Sequence, residues 1–70
     1  MKNVYYLDLQ SVAESLSLST ATVKRLVAAG DLPKPRALTG KRVGWLAREI
    51  EAWAEARPTS TMLPPPSQAL

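Results

Sequence analysis

Apolar side chains recur at helical spacing three times along the chain, and capping residues punctuate the pattern. Leu9, Val12, Ala13 and Leu16 stand at i, i+3, i+4 and i+7, the buried stripe of a helix predicted over about 9–16. Asp8 precedes the stripe and can accept a hydrogen bond from the orphan amides of the first turn. Leu7 comes just before that cap and Val12 four residues after it, the placement of a hydrophobic staple. Further upstream, Val4-Tyr5-Tyr6-Leu7 is short and β-prone.

The same grammar then repeats. Ser19 is a cap, Leu18 precedes it, and Val23 occupies the staple position. Val23, Leu26 and Val27 form the apolar stripe of a second helix, predicted over about 20–29. Gly30 supplies a left-handed stop and Pro33 lies just beyond it. Only Ser17, Leu18 and Ser19 separate the two helices, so the pair reads as a helix-turn-helix.

Beyond Pro33 the period changes. Pro33 and Pro35 interrupt any helix, and Leu38-Thr39-Gly40-Lys41-Arg42-Val43 predicts a small hairpin turning at Gly40. Val43 and Trp45 alternate with Arg42 and Gly44, giving one apolar face and one basic or bare face. The first strand is less regular, because Arg36 and Leu38 would share a face. A third helix is predicted over about 47–57, with Leu46, Ile50, Trp53, Ala54 and Arg57 on one side. Glu49 and Glu51 suit its positive end and Arg57 its negative end, although no good N-cap residue precedes it. Pro58 stops it. The Pro-rich residues 58–70 read as a flexible or extended tail, which leaves 4–57 as the folded domain.

Composition narrows the possibilities. Of 70 residues ten are alanine and none is Phe, so the core is small and modest stability is expected. Cys and His are both absent, which removes disulfides, zinc fingers and His-dependent catalysis. No apolar run approaches a membrane span, and the N-terminus lacks a signal-peptide pattern. The expectation is a soluble, intracellular, single-domain protein that is not an enzyme and needs no cofactor.

Charge gives that domain a direction. Lys24, Arg25, Lys34, Arg36, Lys41 and Arg42 face a single anion, Asp31, over residues 24–42, a net of +5 within a chain of net +3. The remainder is mildly acidic. Such polarity points to a polyanion, with nucleic acid the commonest. The plain alternative is a solvated charged surface.

A helix-turn-helix followed by a basic hairpin and a closing helix is the order of a winged helix-turn-helix: mostly α, three helices plus a small β-hairpin wing. Burial of Val23, Leu26 and Val27 leaves Thr20, Ala21, Lys24, Arg25 and Ala28 on the opposite and lateral faces of the second helix. Ala21 and Ala28 are small enough to let that helix approach a major groove. Lys24 and Arg25 can reach base edges or phosphates, Arg being the better guanine reader. Ser19 and Thr20, at the capped N-terminus, are natural phosphate contacts. Lys41 and Arg42 flank the hairpin tip and can straddle a phosphate or enter the minor groove. Thr22, Lys34 and Arg36 complete the candidate DNA-binding set.

Each feature also has a bland explanation. Ser19 and Thr22 fit a cap and a first turn, Lys34 and Arg36 fit loop charges, and Trp45 and Trp53 fit the core better than base stacking. Glu51 and Glu55 are a like-charged i, i+4 pair, which belongs in solvent. The conjunction carries the functional expectation.

Leu18–Pro35, followed by Gly40-Lys41-Arg42-Val43-Gly44-Trp45-Leu46 and Glu49-Ile50-Glu51-Ala52-Trp53, resembles the AlpA-type branch of MerR-like winged-helix proteins, which includes phage excisionases. The similarity covers about residues 5–57. Its more specific parts are the Gly-x-x-Pro after the second helix and the Gly-Trp before the third. Arg48 departs from the pattern, standing where many relatives carry Ser or another capping residue. The resemblance implies a second helix in the major groove and a wing on the adjacent minor groove or backbone. It also implies binding and bending of attachment-site DNA in aid of a phage integrase, tyrosine-type or other.

Three functions follow in order of preference. The first is an excisionase, or recombination directionality factor, working as copies arranged head to tail on double-stranded DNA in the bacterial cytoplasm and nucleoid. The order reflects the tail, in which thirteen Pro-rich residues cannot form a dimerising coiled coil. The second is an AlpA-like transcriptional regulator. The third is a protein-binding module such as an anti-repressor, with cations that merely solubilise it.

Overall fold

Asp8 and Ser19 each close the first turn of a helix in the same way. Asp8 Oδ1 accepts from the Ser11 amide at 2.8 Å, and Ser19 Oγ accepts from the Thr22 amide at 3.1 Å. The residue four beyond each cap, Val12 and Val23, is 0% exposed. The repeated cap-and-staple pattern therefore places the two most deeply buried side chains of the core, one on each helix.

The computed structural model describes residues 4–63. Their order is β1 (Tyr6–Leu7), α1 (Leu9–Leu16), α2 (Thr20–Ala28), β2 (Arg36–Thr39), β3 (Arg42–Leu46) and α3 (Ala47–Glu55). This is a winged helix: a helix-turn-helix, a hairpin wing and a closing helix. Ser17 takes the left-handed conformation, φ 59°, between α1 and α2. The Leu18 amide then reaches back to the Ala13 carbonyl at 2.9 Å, which reverses the chain within three residues. Gly30, φ 81°, does the same after α2, with the Asp31 amide on the Leu26 carbonyl at 2.9 Å. Ala29 is the cap, so α2 ends one residue before the predicted limit.

The wing is part of a three-stranded antiparallel sheet in the order β1-β3-β2. Tyr6 pairs with Leu46 and Leu7 with Trp45, so the β-prone segment ahead of α1 is an edge strand. On the other side Arg36 pairs with Gly44, Ala37 with Val43 and Thr39 with Arg42, with a shift between Ala37 and Thr39. Leu38 is the extra residue of that bulge, which explains the irregular pattern of the first wing strand. Gly40, φ 54°, opens the turn.

Gly44 sits at the crowded centre of the sheet. A Cβ there would lie 3.0 Å from Leu38 Cδ1 and 3.3 Å from both the Leu7 carbonyl oxygen and Tyr6 Cβ. Only glycine lets Tyr6 and Leu38 close over this face. On the opposite face Trp45 enters the core, which it shares with Val12, Ala13, Val23, Leu32 and Ile50.

Three expectations need correction. Helix α3 ends at Glu55 rather than 57, because Pro58 disfavours helical backbone at Arg57 and the chain tightens at Ala56. Ala54 is exposed, so the inward stripe of α3 is Ile50 and Trp53. Val43 is 50% exposed although it shares a strand face with Trp45 at 5%, because the wing extends past the helices that cover Trp45. Residues 58–63 are exposed and carry no helix or strand; the proline run at 64–66, with the remainder of the tail, lies outside the described residues.

Candidate nucleic-acid interface

Helix α2 turns its apolar stripe inward and its cations outward. Val23 is buried, and Leu26 and Val27 are half-buried against the core. Ala21, Lys24, Arg25 and Ala28 are exposed, so the free face is two cations bracketed by two methyl groups. Thr20 and Thr22 are half-buried at its start. Ser19 Oγ donates to Thr22 Oγ1 at 2.9 Å while accepting the Thr22 amide. Its hydroxyl is therefore engaged in the cap, and Thr22 keeps a hydroxyl proton to offer outward.

Lys41 stands in the turn of the wing and Arg42 opens β3, both exposed. The Ser11 amide bonded to the Asp8 carboxylate holds that acid below its ordinary value of 3.8, and the Arg42 charge acts in the same direction. Lys34 is exposed between the two prolines.

Arg36 is placed differently from the other cations. Its Nη2 is 2.6 Å from Glu49 Oε2, an ion pair between β2 and the first turn of α3. Among the described residues this is the one ion pair. Arg36 thus sits at the base of the wing, already partnered, whereas Lys41 and Arg42 sit at its tip. The two residues are thirteen apart in sequence, beyond any local pattern that would have paired them.

Two tryptophans fix the wing and α3 against the loop that leaves α2. Trp45 Nε1 donates to the Pro33 carbonyl at 2.7 Å, and Trp53 Nε1 donates to the Asp31 carbonyl at 2.5 Å. Between those carbonyls Leu32 is 3% exposed, a core residue without a helical or strand period to reveal it. The Arg57 guanidinium stacks 4.2 Å above the Trp53 ring and its Nε bonds the Trp53 carbonyl, closing the end of α3. Helix α3 also finds the cap its sequence lacks: the Ala47 amide donates to the Tyr5 carbonyl at 2.8 Å.

The class defined by these features is a small winged-helix protein with exposed cations on the free side of α2 and at the tip of the wing. A family described as the prophage CP4-57 regulatory protein (AlpA) matches residues 6–58, which span every element of the fold. The chain belongs to this AlpA family of phage regulatory, DNA-binding proteins. It is also similar to a protein of Enterobacteria phage P4, "Uncharacterized protein ORF88", with 35% identity over 52 residues. That alignment covers 74% of this chain and 59% of the phage P4 protein, so the chain spans about three fifths of that relative's length. No solved structure matches.

Proposed function

We propose that the protein is an excisionase that binds attachment-site DNA cooperatively, bends it and directs an integrase toward prophage excision. The observation that carries DNA binding is the outward face of α2, where Lys24 and Arg25 stand between the small Ala21 and Ala28. With α2 in the major groove, Arg25 and Lys24 read base edges or grip phosphates, and Ser19, Thr20 and Thr22 meet the backbone at the start of the helix. Lys41 and Arg42 hold the adjacent backbone or minor groove, and Lys34 adds a phosphate contact. Arg36 reaches DNA by exchanging Glu49 for phosphate. Residues 4–57 form the DNA-binding unit. The site of action is the cytoplasm of a bacterial host, at the nucleoid.

Self-association on DNA follows from the size of the core. Among the described residues, the apolar stripes of all three helices are engaged in one small core, and a lasting dimer buries roughly 1,200–2,000 Å². One copy reads too few bases to be specific. Weak head-to-tail contacts between copies already side by side on DNA meet both constraints, because DNA raises their local concentration. The acidic side of α3, Glu51 and Glu55, and the basic wing are the complementary surfaces for that contact.

Transcriptional regulation is the second reading, favoured by the description of the family as a regulatory protein. Footprinting on a phage attachment region, with sedimentation of the free protein, decides between them. The excisionase reading expects a monomer at micromolar concentration and protection that grows in steps as protein is added. A tight dimer protecting a single promoter site would overturn it and favour the regulator.

A further inference from the structure

Between α2 and the wing lies an open notch of about 410 Å³ whose walls are almost wholly apolar. A single water molecule needs only roughly 10–15 Å³ of such space. Ala28 and the stem of Lys24 form its α2 wall, Val43 its wing wall, Trp45 its floor and Pro35 one end. No acid lines it. Val43 is half exposed here, an apolar side chain on the edge of a basic face.

We propose that this notch seats a deoxyribose of the DNA backbone, with Val43 as its principal contact. The proposal rests on the DNA-binding reading above. If α2 occupies the major groove and the wing tip the neighbouring backbone, the strand between them must cross the notch. Along that strand charged phosphates alternate with sugars, whose accessible surface is largely C–H. The protein presents the complementary alternation. Lys24 lines the notch beside its apolar walls, and Lys41 stands in the wing turn beyond Val43, while Arg42 is on the other face of β3. The sugar of DNA, lacking a 2′-hydroxyl, can enter an apolar wall without leaving a donor unpaired.

A sugar contact differs from a phosphate contact in two measurable ways. It releases no counterions, so it adds affinity without adding to the salt dependence. It is also blind to sequence, so a short mixed-sequence DNA duplex that accepts one copy is a sufficient probe. Val43→Thr keeps the shape and strand preference of the side chain but places a hydroxyl against the sugar. Val43→Ala removes part of the contact. Val4→Thr is the matched control, since Val4 is 51% exposed and does not line the notch.

Each Val43 variant should bind the duplex about three- to fivefold more weakly at every salt concentration, with the same salt slope as wild type. Val4→Thr should bind as wild type, and thermal melts should show all three variants folded. Unchanged affinity in Val43→Thr would overturn the proposal. So would a loss seen only as reduced cooperativity on long DNA, which would assign the notch to a neighbouring copy. Failure of the wild-type protein to bind any duplex would instead reject the DNA-binding reading on which the proposal rests.

Discussion

The indole N–H of Trp45 donates to the Pro33 carbonyl at 2.7 Å, joining the central strand of the wing to the loop that leaves α2. The bond links the two most specific sequence features of the chain, the Gly-x-x-Pro at 30–33 and the Gly-Trp at 44–45. It ties the central strand of the wing to the loop that follows α2, so the placement of the wing beside that helix is set within the fold itself.

Trp45→Phe keeps most of the apolar volume and deletes the donor. The half-buried Pro33 carbonyl then loses its partner, at a cost of about 1–3 kcal/mol. Urea unfolding should show this loss, and DNA affinity should fall as the wing loosens. Wild-type stability in the variant would show that the bond has no bracing role.

Gly44→Ala tests the crowded centre of the sheet. The new methyl meets main-chain oxygen of Leu7 as well as side chains, so it cannot be relieved by a rotamer change alone. We expect a loss of about 1–3 kcal/mol in chemical denaturation. An unaffected unfolding midpoint would mean that the strands can separate at no cost.

Much of this architecture was legible in the sequence, and for identifiable reasons. Caps and staples are local, so Asp8, Ser19, Val12 and Val23 announced α1, α2 and the turn between them. Gly40 announced the wing because a tight turn leaves a positive φ to glycine. What escaped depends on partners distant in the chain. Val4–Leu7 read as β-prone, but nothing local marked its pairing with β3, and the cap of α3 is a main-chain carbonyl that no side chain marks. Leu32 is an isolated apolar residue between turn signals, and the Arg36–Glu49 pair spans thirteen positions. The candidate DNA face was legible because charge and small residues on α2 follow helical spacing, whereas the notch required the wing to be placed beside α2.

Acid should weaken α1 through Asp8. Its carboxyl is lowered from 3.8 chiefly by the bond from the Ser11 amide, so the ionised form is favoured in the folded state. Its contribution is complete above the ordinary value and is lost as pH falls through the lowered one. Asp8→Asn still caps the helix but carries no charge. Melting temperatures from neutral to strongly acidic pH should fall less steeply in the variant, and parallel curves would refute the assignment.

Arg25 tests base reading by α2. Arg25→Ala should weaken binding to a cognate site by about 1–3 kcal/mol and relax sequence preference there. Quantitative gel shifts on cognate and scrambled duplexes measure both effects. Equal, unchanged affinities would remove Arg25 from the interface.

The most direct test of the two-element DNA grip is the salt dependence of binding for wild type and for Lys41→Ala combined with Arg42→Ala. The wing tip should contribute phosphate contacts independent of sequence. The double variant should therefore lose affinity similarly on every duplex, and its slope of log affinity against log salt should flatten by roughly two counterion units. A slope identical to that of wild type would contradict a wing in contact with DNA.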